Sequence, residues 1–171
     1  MKCHPGGETH TRRMLALAAL SPGASVLDLG AGAGESVRLL RELGFMARGL
    51  DIEPRSPLVE TGDLLCAPFP DESFDAVLSQ CAFFVSGDVP GALREAKRLL
   101  KSGGRLLLSD VECTPLRPLA EAAGFTILHD EDMTALWREY YLEALWRDED
   151  ACRCELPRRK CCYRMLIAER R

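Results

Sequence analysis

The sequence lacks both long apolar runs and an excess of positive charge. None of its apolar runs approaches the roughly 20 residues that a membrane-spanning helix needs, so we expect no membrane insertion. The 171 residues carry a net charge of −4, whereas a chain built to grip nucleic acid carries a basic surface. We therefore expect a small-molecule partner rather than DNA or bulk RNA.

Cysteine is present, but it is too sparse for a disulfide scaffold. Eight cysteines in 171 residues lie below the density typical of such proteins. Residues 1–7 also lack the apolar core of a secretory signal peptide. These features predict a cytoplasmic protein with reduced thiols, and the length fits a single domain over residues 1–171.

The most informative segment is residues 26–34, an apolar strand that runs directly into a glycine-rich loop. Its glycines allow a ligand to approach the backbone closely, and a helix beginning near Glu35 would direct free N–H groups toward that ligand. Asp51 follows the loop at about 20 residues, the spacing at which an acid meets a ribose in a mononucleotide-binding βαβ unit. Together these features predict a ligand that contains a ribose.

Asp28, two residues before the first glycine, distinguishes between nucleotides. A dinucleotide would place its pyrophosphate beside this carboxylate, and like charges about 4 Å apart repel by roughly 4 kcal/mol at an effective dielectric constant of 20. S-adenosylmethionine (SAM) carries an ammonium and a sulfonium instead, so the carboxylate favours it. The loop also lacks the Gly-x-Gly-x-x-Gly spacing of the dinucleotide fingerprint. Alternatively, Asp28 is a structural acid that braces the loop through backbone N–H groups.

Several segments together resemble the class I SAM-dependent methyltransferases, in particular small bacterial members with a type 11-like domain. These segments are residues 4–7, 26–34, 49–52, 61–64, 68–79, 99–108 and 162–168. The resemblance implies one doubly wound, Rossmann-like α/β domain. Its sheet is expected to be of the seven-stranded type, mostly parallel, with an antiparallel C-terminal strand. Residues 1–24 would form an N-terminal cap helix, and residues 131–160 a lid helix and a cysteine-rich loop.

Hydrophobic periodicity and turn residues predict the individual elements. Helices are expected at residues 8–20, 36–43, 89–101, 116–123 and 133–147, and strands at 25–29, 45–52, 74–80, 105–111, 125–130 and 164–168. Only about ten residues separate Asp51 from the next loop, too few for a crossover helix with two turns. We therefore expect the second helix of the family pattern to be missing or reduced to a turn. Part of the sheet would then be thinly covered and the adenine pocket more open.

The resemblance also implies which residues bind the cofactor. They are Asp28, Gly30, Ala31, Gly32, Asp51, Ile52, Asp63, Leu64 and Gln80. Asp28, Gly30 and Gly32 would meet the methionine half, and Asp51 both ribose hydroxyls. Ile52 would pack on the adenine face, with Asp63 and Leu64 at the adenine edge, although Asp63 could equally cap a turn. Gln80 would lie under the methionine portion or the methyl group.

Catalytic residues are less clearly indicated. Methyl transfer from a sulfonium depends mainly on positioning, although an oxygen or nitrogen nucleophile benefits from a base. The candidates for acid–base or substrate-facing roles are His4, His10, Cys81, Asp110 and Glu112. By resemblance Cys81 and Phe84 would face the substrate; alternatively, Cys81, Phe83 and Phe84 simply belong to the core. We interpret His129 as structural. Some aromatic residues of the lid helix are expected to line the acceptor site, namely some of Trp137, Tyr140, Tyr141 and Trp146.

The tail holds Cys152, Cys154, Cys161 and Cys162. Structural zinc prefers pairs two to four residues apart, so this spacing predicts no metal. Ordinary thiols are the simpler interpretation, with a metal, metalloid or redox role as the alternative, in which Cys113 could take part. The basic run at 158–160 is most simply a solvated loop. We expect the tail to be dispensable for cofactor binding.

The sequence as a whole predicts SAM-dependent methyl transfer to an unidentified small molecule. Two alternatives stay open. One is methylation of RNA or protein, which the acidic composition disfavours. The other is a SAM-binding or thiol- or metal-binding accessory protein without turnover.

Overall fold

The computed structural model of the chain describes residues 4–146 and 161–171. Helices and strands alternate along most of this length, as in an α/β protein. They are α1 (Gly7–Ala18), β1 (Ser25–Leu29), α2 (Glu35–Glu42), β2 (Met46–Asp51), β3 (Val59–Thr61), β4 (Phe74–Gln80), α3 (Val89–Leu99), β5 (Leu100–Glu112), α4 (Leu116–Ala122), β6 (Phe125–Asp132), α5 (Thr134–Trp146) and β7 (Cys162–Arg170).

The strands form one seven-stranded sheet in the order β3-β2-β1-β4-β5-β7-β6. Neighbours from β3 to β5 pair in parallel. β7 runs antiparallel between β5 and β6. The expected Rossmann-like sheet with an antiparallel C-terminal strand is therefore confirmed, and β6, which contains His129, is an edge strand.

Helices cover both faces of this sheet. Leu93 of α3 belongs to the same core as Leu27 of β1, whereas Met14 of α1 and Val37 of α2 pack with Val26. Successive strand residues point to opposite faces, so Val26 and Leu27 enter different cores. This alternation makes the domain doubly wound.

The junction between α3 and β5 differs from the expectation. The carboxylate of Asp88 caps α3 by accepting the N–H of Gly91 at 2.8 Å, and the helix ends at Leu99 rather than at residue 101. Leu100 is already extended and pairs with Phe74, and the register shifts before the pairing of Ala76 with Arg105. β5 thus begins at residue 100 rather than 105, because pairing with β4 extends the strand through an irregular stretch.

The connection from β2 to β3 contains no helix, as the short spacing predicted. Residues 52–58 alone join two parallel strands. Where a crossover helix would pack, Arg48 lies 4.4 Å from the ring centroid of Phe69 and forms a two-pronged ion pair with Glu60. A polar side chain and a loop therefore cover this part of the sheet.

The sheet also determines where a ligand can bind. After β1 the chain turns to β2 on one side, while β4 lies on the other, so a crevice opens at the carboxyl ends of β1 and β4. Among the described residues, none of the helices combines the length and apolar character needed to cross a bilayer.

Candidate functional site

The crevice between β1 and β4 holds a cavity of about 490 Å³, within the range of small-molecule sites. The glycine loop forms its floor. Gly30 and Gly32 have φ values of 82° and 52°, and a side chain at Gly30 would collide with Ala82. These positions require glycine because the backbone is left-handed and closely packed.

Asp51 is located at the end of β2, beside this loop. Its Oδ2 accepts the N–H of Gly32 at 2.8 Å, and its Oδ1 accepts the N–H of Glu53 at 2.9 Å. A carboxylate has about four acceptor positions, so two remain for ligand hydroxyls. Asp51 therefore braces the glycine loop. On sequence grounds this bracing role was the alternative interpretation of Asp28.

Asp28 lies deeper in the cavity and is 4% exposed. Burial raises its pKa to about 7, with a further contribution from the charge of Asp51. Neither cause is a hydrogen bond. The structure thus places a buried carboxyl at the methionine end of the expected cofactor site, where a cation would favour its ionised form.

The expected adenine side is the open end of the cavity. Ile52, Asp63 and Leu64 all line it, and Ile52 is 70% exposed. Asp63 also accepts the N–H of Leu65 at 2.8 Å, so it caps a turn while facing the cavity. Arg55, which the sequence analysis missed, lines the same end and lies over Gly32.

The amide of Gln80 is held by three surrounding segments. Its Oε1 accepts hydrogen bonds from Thr11 at 3.1 Å and from Ser36 at 3.2 Å. Its Nε2 lies 3.2 Å from Nδ1 of His4, whose pKa is lowered by burial. Gln80 lines the cavity, so the N-terminal helix orients a residue at the predicted methyl position. Nothing in the local sequence identified Thr11 and Ser36.

A second series of hydrogen bonds connects α1 with Cys81, at the end of the cavity where we expect the methyl acceptor (the acceptor end). Nε2 of His10 is 2.8 Å from Oγ of Ser109, whose hydroxyl donates to Tyr163 at 2.9 Å. The Tyr163 hydroxyl is in turn 3.2 Å from Sγ of Cys81. His10 is buried, and that burial lowers its pKa to about 4. It supports the site from beneath, whereas Cys81 lines the cavity itself.

The backbone at Cys81 is left-handed, with φ of 59°. Such a conformation is uncommon outside glycine and often occurs at functional sites. The turn that it creates after β4 separates two aromatic neighbours. Phe83 is fully buried in the core, whereas Phe84 lines the cavity.

Asp110 is fully buried at the acceptor end, and its carboxylate is surrounded by backbone donors. Oδ2 accepts the N–H of Phe84 at 3.1 Å, and Oδ1 that of Val111 at 2.7 Å. Burial raises its pKa to about 6, against the opposing effect of backbone hydrogen bonds that also include Phe83 and Ala82. Its lone pairs therefore hold the turn after β4. Glu112 instead accepts the N–H of Leu116 and so caps α4.

Aromatic and aliphatic side chains form the rest of the acceptor end. We call this set the acceptor wall: Phe84, Val85, Val111, Trp137, Tyr140 and Tyr141. Trp137 stacks on Tyr163 with ring centroids 6.2 Å apart and packs edge-on against Tyr141 at 5.2 Å. Trp146 is not part of it, since it is 87% exposed on α5.

The cysteines do not all follow the expectation of reduced thiols. Cys113 and Cys161 form a disulfide, because antiparallel pairing of β5 with β7 brings these distant residues opposite each other. Cys162 remains a thiol. Cys152, Cys154 and the basic run at 158–160 lie outside the described residues. Within residues 4–146 and 161–171, no group of three or more His, Cys, Asp or Glu side chains is arranged to hold a metal ion.

Comparison with known proteins agrees with this geometry. The family described as "Methyltransferase domain" matches residues 27–108. Demethylmenaquinone methyltransferase of Tropheryma whipplei (strain Twist) is 34% identical over 119 residues, which cover 60% of this chain and 48% of that protein. The chain spans about half the length of the curated relatives that it matches most strongly.

Solved structures share the fold. The structure of phosphoethanolamine N-methyltransferase 2 of Haemonchus contortus in complex with SAM has a TM-score of 0.76 at 19% identity. The alignment covers 98% of this chain and 53% of that chain. The [4+2]-cyclase SpnF has a TM-score of 0.74 at 20% identity, and the alignment covers 96% of this chain and 82% of that chain. The chain therefore has the class I methyltransferase fold, and the match to the methyltransferase-domain family lies in its residues 27–108.

Proposed function

We propose that this chain transfers the methyl group of SAM to a small acceptor that is uncharged or cationic and carries a planar apolar group. The observation that carries the proposal is one cavity shared by a glycine loop, two strand-end carboxyls and an aromatic wall. Asp28 and Asp51 border its cofactor end, and Trp137 borders the other. The relative in Tropheryma whipplei, named for the small molecule demethylmenaquinone, supports the class of acceptor.

The residues at the cofactor end fit SAM. A cationic ligand would stabilise the ionised form of Asp28, whose pKa is raised by burial. Asp51 keeps acceptor positions for two hydroxyls beyond its bonds to Gly32 and Glu53. When bound, SAM supplies a methyl group on a sulfonium, which a nucleophile can accept directly. The chain then has to position the acceptor and exclude water.

The charge distribution opposes an anionic acceptor. Five carboxyl side chains line the described cavity, at positions 28, 35, 51, 63 and 110, against one guanidinium, that of Arg55. Arg55 and Asp51 both lie beside Gly32 at the cofactor end, whereas Asp110 lies at the acceptor end, where no described Lys or Arg side chain lines the cavity. A phosphate or carboxylate beside the aromatic wall would therefore meet repulsion.

Positioning, rather than a strong base, is the proposed source of rate. Among the candidates, Asp110 has backbone N–H groups around its carboxylate, and His10 hydrogen-bonds to Ser109 beneath the site. Cys81 lines the cavity beside the wall. We assign it to contact with the acceptor and assign His10 and Asp110 to positioning.

SAM turnover tests this proposal. Metabolite extract, separated by charge into anionic and non-anionic fractions, would be incubated with the protein and SAM. We expect S-adenosylhomocysteine to accumulate with a non-anionic fraction. Asp51→Ala should weaken SAM binding about 10- to 100-fold, since hydrogen bonds to a charged group contribute about 1.5–3 kcal/mol.

Calorimetry provides the binding measurement and its control. Glu53→Ala leaves the backbone N–H that Asp51 accepts in place, so it should bind SAM like the wild type. Unchanged affinity of Asp51→Ala, or preference for NAD, would contradict the cofactor assignment. SAM binding without turnover of any fraction would favour the accessory-protein alternative. Turnover only with RNA or protein would favour the macromolecular one.

A further inference from the structure

The disulfide between Cys113 and Cys161 is attached to the acceptor wall. We infer that it is a reversible thiol–disulfide site that controls the wall and leaves the cofactor end unaffected. As regulation of the acceptor site, this inference rests on the proposed function, although its structural part can be tested without an acceptor. We call the pair the β5–β7 latch.

The latch continues the sheet rather than distorting it. Glu112 pairs with Cys162 and Val111 with Tyr163, so Cys113 and Cys161 are the next opposed positions. Their Cα atoms are 4.7 Å apart, close to the separation of directly opposed antiparallel residues without mutual hydrogen bonds. The strands can therefore keep the same register with the bond formed or broken.

The two sulfur-bearing residues differ in accessibility. Cys113 is exposed at the end of β5, whereas Cys161 is buried. A thiolate arriving from solvent would attack the sulfur of Cys113 and release the thiolate of Cys161. This asymmetry gives an exchange reaction a defined point of entry.

The buried member connects the latch to the wall. Cys161 packs in one cluster with Val111, Trp137 and Tyr163. Tyr163 lies two residues further along β7, where it stacks on Trp137 and contacts Cys81. The first residues of β7 thus support both the lid helix and the cavity.

The backbone of Tyr163 also anchors the beginning of α5. Its carbonyl accepts the N–H of Met133 at 2.7 Å, and its N–H donates to Oγ1 of Thr134 at 3.0 Å. The disulfide closes the segment from 113 to 161, which includes α4, β6 and α5. Breaking the bond removes a covalent restraint from the strand end on which α5 docks.

Within residues 4–146 and 161–171, no disulfide joins the cofactor end to another segment. The expected contacts of the cofactor end lie on β1, β2 and the ends of β3 and β4, from Asp28 to Gln80. These strands pair with one another on the far side of β5. Reduction should therefore alter the acceptor end while SAM affinity stays constant.

The exchange chemistry balances with a dithiol as reductant. One reagent thiolate attacks Cys113 and breaks its bond to Cys161, and the second then displaces Cys113 from the mixed disulfide. The reagent becomes a cyclic disulfide, its two protons pass to the protein thiolates, and two electrons reduce the protein. Oxidised glutathione, a small disulfide, reverses the reaction.

The test compares oxidised and dithiothreitol-reduced protein. Peptide mapping of the unreduced chain should find Cys113 linked to Cys161. On reduction, hydrogen exchange of residues 134–146 should accelerate about tenfold or more while β1 and β2 stay protected. The neutral fluorophore N-phenyl-1-naphthylamine should bind about tenfold more weakly, the effect of losing one well-packed aromatic contact. SAM affinity should stay within about twofold, a change of only about 0.4 kcal/mol.

Variants separate the latch from other thiols. Cys113→Ser should behave like reduced wild type and no longer respond to reductant. Cys162→Ser, the matched control beside Cys161, should respond like the wild type. Linkage of Cys161 to Cys152 or Cys154, unchanged exchange in α5, or parallel loss of SAM affinity would overturn the inference. Failure of SAM turnover alone would instead contradict the proposed function.

Discussion

The two ends of the cavity each contain a buried aspartate, and the two differ in their neighbours. Asp28 lies one residue before the end of β1 at the cofactor end, and Asp110 lies two residues before the end of β5 at the acceptor end. Burial raises the pKa of both, to about 7 and about 6. Backbone donors oppose that rise only at Asp110, where Phe84 and Val111 contribute N–H groups.

This difference predicts a structural role for Asp110 and a ligand-binding role for Asp28. The donors around Asp110 compensate for its lost hydration, so it organises the turn that carries Phe84. At Asp28 the charge of Asp51 repels the carboxylate, and hydrogen-bond donors are absent among the described residues. Burial therefore destabilises the ionised carboxylate until a cation binds beside it.

Asp110→Asn should have the largest effect and should act on stability. The amide of asparagine has one acceptor oxygen, and its NH₂ group would face backbone N–H groups that now donate to the carboxylate. We therefore expect the free energy of unfolding to fall by about 3 kcal/mol. Urea denaturation measures it. The control is Glu112→Gln, which retains an acceptor for Leu116 and should cost less than about 1 kcal/mol. A stable Asp110→Asn protein that has lost turnover would identify Asp110 as the base.

Asp28→Asn should act mainly on cofactor affinity. Losing one buried charge opposite a cation should weaken SAM binding about 10- to 30-fold at pH 7.5. Calorimetry between pH 5.5 and 7.5 should find wild-type affinity rising with pH as Asp28 ionises, and little change in the variant. Glu35→Gln is the comparison variant, because this half-buried acid also lines the cavity but is better screened by solvent. Equal affinity of wild type and Asp28→Asn would make Asp28 a purely structural acid.

Without ligand, the same substitution should slightly stabilise the protein. The folded-state pKa of Asp28 lies above its ordinary value of 3.8, so the folded protein binds more protons and loses stability as pH rises from about 4 to about 7. Asp28→Asn removes this loss but buries an amide, and we expect a net gain of about 1 kcal/mol at pH 8. The gain should vanish near pH 4. A variant that is less stable at every pH would contradict the raised pKa.

Local patterns in the sequence were sufficient for most of the fold. Hydrophobic runs and glycine turns predicted the main strands and helices, and the short spacing after Asp51 predicted the missing helix. β3 was not predicted, because its three residues, Val59–Thr61, are recognisable mainly through their pairing with β2. The start of β5 at residue 100 depends likewise on the pairing of Leu100 with Phe74.

Residues that act through distant partners were harder to predict. His10 was a candidate for an acid–base role, yet it is buried, with Nε2 2.8 Å from Oγ of Ser109, which lies 99 positions away in the sequence. Cys113 and Cys161 were expected to be thiols, and 48 residues separate them in sequence. Tyr163 had no local signal for its contacts with Cys81 and Trp137.

The local sequence specifies β1, the glycine loop and the acid at Asp51, and these features predict a ligand that contains a ribose. Spacing along one βαβ unit encodes these features, since neighbours in the chain remain neighbours in space. Tertiary contacts instead give Asp110 its backbone donors, leave Asp28 without a donor among the described residues, and bring Cys113 to Cys161. Hydration, hydrogen-bond partners and covalent pairing depend on which distant segments the sheet brings together, and no local periodicity records that.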